Sequence, residues 1–266
     1  MTYRRRRSLY LVAAALSLSL IPAGARSQTE ETDLASILDK VAEKTASYLP
    51  LESWKATVRS VQTKVDKNWR PEKVTNVHRI MTVRKDDYDE QILKAEEVEK
   101  GRTKDITEKY AKDSRERLDK RRRKEAERKA KGKADEEEED RREMSLKEFF
   151  PFEQSRRADF IFSRLADETL DGRAALAIEV KARVKDEKNW EGAYFIAADG
   201  FDVLKVVLRP SKNPKFVKEF EMEMTLMVLP GNHLVLRSSR ARINGGIFIK
   251  HVRMISEDEY SDYEIL

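Results

Sequence analysis

The stretch Glu191–Val228, EGAYFIAADGFDVLKVVLRPSKNPKFVKEFEMEMTLMV, decides the fold of this chain. It predicts a strand, a turn at Asp199-Gly200, a second strand, a link marked by Pro210 and Pro214, and a long third strand. The Asp-Gly pair offers a position that tolerates positive φ, as a tight hairpin needs. In the third strand Phe220, Met222, Met224, Leu226 and Val228 share one face, and Glu219, Glu221 and Glu223 share the other. A period of two belongs to a strand with one buried and one solvated face. The chain is therefore expected to build an antiparallel sheet with a methionine-rich apolar side, which is either covered core or the lining of a cavity.

Working outward, the N-terminal side begins with a targeting segment. Arg4–Arg7 form a basic cluster, Leu9–Ile21 an apolar run of 13 residues, and Ala23-Gly24-Ala25 a small-residue cleavage site. That order is a secretory signal over residues 1–25, and the run is shorter than the roughly 20 residues of a bilayer span. Export to the periplasm is expected, with secretion as second choice and no stable membrane anchor after cleavage. The chain has no cysteine, which excludes disulfides, cysteine nucleophiles and a lipidated anchor. The net charge of +5 arises from 54 basic and 49 acidic residues; cleavage removes four arginines and leaves 50 against 49. A nearly neutral mature chain gives no argument for nucleic acid.

Asp33–Tyr48 reads as an amphipathic helix, with Leu34, Ile37, Leu38, Val41 and Thr45 on one side and Asp33 as its N-cap. Trp54–Val65 reads as a strand whose alternation requires a bulge, Val74–Arg84 as a strand, and Tyr88–Val98 as a strand or a short helix. The composition then changes. Of the 28 residues from Arg115 to Arg142, 23 are charged, too many for the segment to fold on a core of its own. Residues 103–143 are expected to be an insertion, a solvated helix to about Lys131 and disordered beyond Gly132. After it, Phe149-Phe150-Pro151-Phe152 reads as an edge or a lid. Strands follow at Phe160–Leu165, Leu176–Val184 and His233–Ala241, with a turn at Asn244-Gly245-Gly246, a strand at Ile247–Ile255 and a polar C-terminal segment, Glu257–Tyr263.

The fold class expected is α+β, mainly β. A curled antiparallel sheet of about ten strands forms an unclosed half-barrel, because so large a sheet cannot stay flat. An N-terminal helix crosses its concave side, and a charged helical insertion divides residues 26–102 from residues 144–266 of the same domain. No catalytic signature is present. His78, His233 and His251 are scattered, with no metal-ligand spacing, and Ser238-Ser239 lacks a nucleophile elbow. No cofactor or metal is expected. The candidate site is the apolar face itself: Leu176, Ile178, Phe195, Leu204, Val206, Leu208, Phe220, Met222, Met224 and Leu226.

Four segments together resemble the LolA/LolB-like superfamily of periplasmic outer-membrane lipoprotein-sorting proteins. They are ILDKVAEKTASYLPLESWKATV (Ile37–Val58), LDGRAALAIEV (Leu170–Val180), YFIAADGFDVLKV (Tyr194–Val206) and the terminal YSDY (Tyr260–Tyr263). The resemblance covers the mature chain outside the insertion. It implies an unclosed barrel with helices over its mouth and an apolar cavity for acyl chains. A non-catalytic carrier of lipid or lipoprotein acyl chains is the function it implies. The alternative is a structural or regulatory interaction module that contacts an envelope protein partner through residues 103–143. The chain departs from the superfamily's receptors in lacking a lipidated cysteine, and from its carriers in having the insertion.

Overall fold

The structure, a computed structural model, describes residues 23–85, 87–130, 146–247 and 250–266. The signal segment before Ala23 and the acidic block of the insertion lie outside the described residues. Helix α1 spans Ala23–Ser47, and four strands follow: β1 (Ser53–Val65), β2 (Pro71–Arg84), β3 (Asp87–Glu99) and β4 (Arg102–Asp105). Helix α2 covers Thr107–Ala130, then come a 3₁₀ turn at Leu146–Phe149 and the one-turn helix α3 at Gln154–Arg157. Eight strands complete the chain: β5 (Phe160–Arg164), β6 (Glu168–Leu170), β7 (Arg173–Ala182), β8 (Trp190–Ala197), β9 (Val203–Pro210), β10 (Val217–Leu229), β11 (His233–Ile247) and β12 (Lys250–Ile265).

All twelve strands belong to one antiparallel sheet in the order β4-β3-β2-β1-β12-β11-β10-β9-β8-β7-β5, with β6 paired to β7. The path has two ends and does not return on itself, so the sheet is an unclosed half-barrel. The C-terminal segment Glu257–Tyr263, expected as a polar tail, is instead part of β12, which joins the two halves by pairing with β1 and β11. Its polarity misled because a strand of an open sheet can keep one face wet. Asn244-Gly245-Gly246 is not a turn either; β11 runs through it, paired to β10 on one side and β12 on the other. Gly245 lies close to the neighbouring backbone: a Cβ would stand 3.0 Å from the Phe216 carbonyl oxygen, which would have to give by a few tenths of an ångström.

Other turns follow their chemistry. Asp171 and Gly172 both have positive φ, as a two-residue primed hairpin demands. At Asp199-Gly200 the positive φ falls one step later than the sequence suggests, on Phe201, because the Phe201 amide closes a five-residue turn onto the Ala197 carbonyl. Segment Tyr88–Val98 resolves as strand β3. The irregularity expected in Trp54–Val65 is present: register shifts occur between Lys55 and Thr57 against β12 and between Lys64 and Val65 against β2. Helix α1 begins at Ala23, so Asp33 is interior rather than its N-cap.

Helix α2 runs to Ala130, close to the end the composition suggests, and is mostly exposed, but one stripe of it packs on the sheet. Ser114 and Leu118 of α2 are buried. Thr107 binds the Ala95 backbone, the Ser114 hydroxyl donates to Glu90, and Arg122 holds Asp87 at 3.0 Å. A stripe two residues wide suffices because the sheet beneath supplies the apolar area that the helix lacks.

Candidate functional site

One ladder row shows how the inner face of the half-barrel is built. Directly paired residues keep their side chains on the same side of a sheet. The row runs Arg164, Ile178, Tyr194, Val206, Met224, Ser239, Asp258, Ser60, Val77, Ala95, crossing from β5 to β3. From Ile178 to Met224 it is apolar but for one phenol, then polar from Ser239 to Ser60, then apolar again. The inner face therefore has two apolar halves divided by a polar seam.

The larger half is a continuous layer. Ile178, Val180, Ile196, Val206 and Leu208 are at most 1% exposed, and Met224 and Leu226 are 3% and 4% exposed. Its cover has three short pieces. Ile37, Leu38 and Val41 of α1 pack on it, as their spacing of three and four predicts. Phe149, Phe150 and Phe152 pack beside them. Phe149 meets Trp190 at 5.1 Å between ring centroids, Trp190 meets Phe220 at 5.8 Å, and Phe152 meets Tyr194 at 5.1 Å. This aromatic segment is a lid by position, buried against the inner face.

A few polar ties hold the cover down. The Tyr194 hydroxyl, in the middle of the layer, donates to the Phe149 carbonyl at 2.6 Å. Burial pushes this phenol far above its ordinary range, so it stays protonated and remains a donor. Arg157 donates to the Phe152 carbonyl, the Leu38 carbonyl and the Asp39 carboxylate, each at 2.6 Å, which locks the aromatic segment to α1. At the other end of α1 the Tyr48 hydroxyl donates to Asp202 at 2.9 Å, and Lys44 stands 3.2 Å from the same carboxylate. Burial, then the Asp202 charge, raises the Tyr48 phenol as well.

Across the polar seam the smaller half is closed by α2. The Ser60 hydroxyl donates to Asp258, and Arg79 lies 3.4 Å from Glu90 and 3.8 Å from Asp258. The Tyr88 hydroxyl donates to Glu90 at 3.1 Å. These groups occupy one another, and among the described residues no three His, Asp or Glu side chains are grouped to hold a metal ion.

The ten candidate residues do not form one surface. Ile178, Val206, Leu208, Met224 and Leu226 lie in the inner layer, with Leu176 and Met222 half-buried against it. Phe220 is half-buried beside Trp190. Phe195 and Leu204 are on the opposite, outer face, packed with Ala175 and Ala177. Phe195 faces outward by plain alternation along β8, between the inner residues Tyr194 and Ile196, whereas a bulge places Leu204: Phe195 pairs with Lys205 and Ile196 with Val203, so Leu204 is the extra residue and alternation along β9 fails. Sequence reading missed the ties. Arg157 is one arginine among many, and nothing near it in the chain marks its three acceptors.

The outer face carries a pocket of about 560 Å³ between Leu170–Arg173, Asp202–Lys205, Thr225–Val228 and Arg237. It lies where β9 and β10 part. Those strands pair only from Leu208 opposite Met222 to Lys205 opposite Thr225, although β9 begins at Val203 and β10 continues to Leu229.

No protein-family model matches the chain, and no curated protein matches it. Solved structures to which it is similar include a domain described as outer membrane lipoprotein-sorting from Vibrio parahaemolyticus, 9% identical, with a TM-score of 0.34 over 85% of this chain and 91% of that one. The LolA superfamily protein NE2245 from Nitrosomonas europaea is 11% identical, with a TM-score of 0.31 over 87% and 93%. A DUF1329 family protein from Desulfovibrio piger is 7% identical, with a TM-score of 0.35 over 87% and 92%. The superfamily that the sequence resembles is thus among the structural neighbours.

Proposed function

We propose that this chain is a non-catalytic protein of the periplasm that binds acyl chains of a lipid or lipoprotein against the larger apolar half of its inner face. One observation carries the reading. The apolar layer is closed by three separate pieces, α1 and the segments around Phe149 and Phe152, and not by further sheet. Each piece is tied by one or a few hydrogen bonds, so the cover can lift while the sheet stays intact. Beneath it Met222 and Met224 supply flexible side chains that adapt to different chain shapes. A chain that replaces the aromatic rings on this layer buries its methylenes at ~0.8 kcal/mol each. Micromolar affinity needs ~8 kcal/mol net, so a chain of ordinary membrane length has enough apolar surface to bind, even after a cost for lifting the lid.

The test is mass spectrometry of the mature protein purified without detergent, before and after organic extraction, followed by titration with a fluorescent fatty acid. Co-purified acyl lipid near one per protein, or saturable uptake competed by unlabelled lipid, is the expected result. A clean protein that takes up no chain would overturn the reading. A second reading, an envelope interaction module using the insertion, is favoured by one feature. Helix α2 spends only a narrow stripe on the sheet and leaves Lys112, Arg115, Lys120, Arg123 and Lys124 exposed. Deleting residues 103–143 spares chain uptake under the first reading and abolishes capture of the partner under the second.

A further inference from the structure

The parting of β9 and β10 is more than an irregular edge. Part of its wall is apolar, with Leu170, Leu204, Met227 and Val228 contributing. Two further lining residues, Val203 and Leu226, also belong to the buried inner layer. The floor of the pocket on the outer face is therefore formed by residues that also build the apolar layer of the inner face. At its rim stand three cations from three different strands, Arg173 of β7, Lys205 of β9 and Arg237 of β11. Their partners are Asp199, Glu223 and Asp171, at 2.8, 2.8 and 2.5 Å. Asp199 and Asp171 are 72% and 70% exposed, and pairs so open to water contribute little and exchange readily. Besides Asp171 the pocket is lined by one further carboxylate, Asp202, which is held from the other side by Tyr48 and Lys44 of the α1 end.

We infer that this split is a binding site for an amphiphile with one acyl chain and an anionic head, the chain lying between β9 and β10 and the head replacing the acidic partners of Arg173, Lys205 and Arg237. A volume of about 560 Å³ lies within the range of small-molecule sites, roughly 300–1,000 Å³. An apolar wall ending in several cations suits a carboxylate or phosphate head, whose charge-assisted hydrogen bonds to them are roughly twice as strong as those of a neutral head. The occupant's far end meets Val203 and Leu226, and Asp202 joins the pocket to α1, so occupancy of the split and lifting of α1 are coupled. The site rests on the acyl-binding reading above and adds the place where the chain enters.

The experiment titrates oleate, oleoyl lysophosphatidate and neutral monoolein into the full mature protein and its variants, with folding checked by circular dichroism. Arg173→Ala with Arg237→Ala is expected to weaken the anionic probes by about tenfold or more, the scale of one lost charged hydrogen bond, and to leave monoolein unchanged. Whichever anionic probe suffers more tells whether the head is carboxylate or phosphate. Met227→Trp fills the split and should weaken all three; Val228→Trp, at a more exposed position, serves if the first variant does not fold. Met222→Glu reports on the inner layer separately. If the split variants keep full affinity while Met222→Glu loses it, the split site is overturned and the acyl-binding reading stands. If the folded wild-type protein binds none of the probes, both fall.

Discussion

Replacing Arg157 with methionine tests the idea that the cover is tied rather than fused to the sheet. The methionine keeps most of the aliphatic stem and removes all three hydrogen bonds. The bond to Asp39 counts for little, because that carboxylate is 70% exposed and is solvated when freed. The bonds to the Leu38 and Phe152 carbonyls lie at the seam between α1 and the aromatic segment, where the arginine side chain is only 20% exposed. A charged donor to a backbone carbonyl contributes about 1.5–3 kcal/mol, less where water can reach the acceptor. A loss of about 2–3 kcal/mol is expected, a fall in Tm of roughly 5–10 °C for a domain of this size. The methionine variant should also bind a fluorescent fatty acid faster than wild type, because the lid opens more often. Thermal melts and stopped-flow uptake read the two effects. Arg157→Lys should recover little, since one ammonium cannot span three acceptors. A variant that melts within about 0.5 kcal/mol of wild type, the range of an ordinary surface substitution, and takes up the probe at the wild-type rate would refute the tie.

Three further outcomes follow from the same structure. Gly192 has φ +150°, and a Cβ there would stand 1.9 Å from the Val207 carbonyl oxygen; Gly192→Ala should cost about 3 kcal/mol or more in chemical denaturation, from backbone strain and displacement of β9 together. Glu191 is buried, which pushes its carboxyl up, but Lys185 and Arg209 outweigh this and hold it below the ordinary carboxylate range. A depressed folded value stabilises above the unfolded pKa and is lost as pH falls through the folded one, so the wild-type Tm should drop in that acid window and Glu191→Gln should flatten the drop. Leu118→Asp should free α2 without unfolding the sheet, seen as faster amide exchange in Thr107–Ala130 and unchanged exchange in β7–β10.

How far could the sequence alone be read? The alternation of β10, the primed turn at Asp171-Gly172 and the stripe of α1 are local, and local sterics and period settle them wherever the chain folds. They led to the antiparallel half-barrel, its N-terminal helix and the apolar inner face. Ile178, Val206, Leu208, Met224 and Leu226 were legible because burial on one face leaves a period of two in the sequence. Other features are decided only by what the chain meets in space. The bulge that turns Leu204 to the outer face depends on the register between β8 and β9. The polar Glu257–Tyr263 is a joining strand because β1 offers its free edge. Helix α2 docks because the sheet supplies the apolar surface that its own sequence lacks. Arg157 matters because α1, more than a hundred residues earlier in the chain, brings the Leu38 carbonyl and the Asp39 carboxylate to it beside the nearby Phe152 carbonyl. The gap between β9 and β10 exists because two strands diverge after four paired residues. Periodicity reports which side of an element is buried, but not against what, and it is the partner that turns an apolar face into a site.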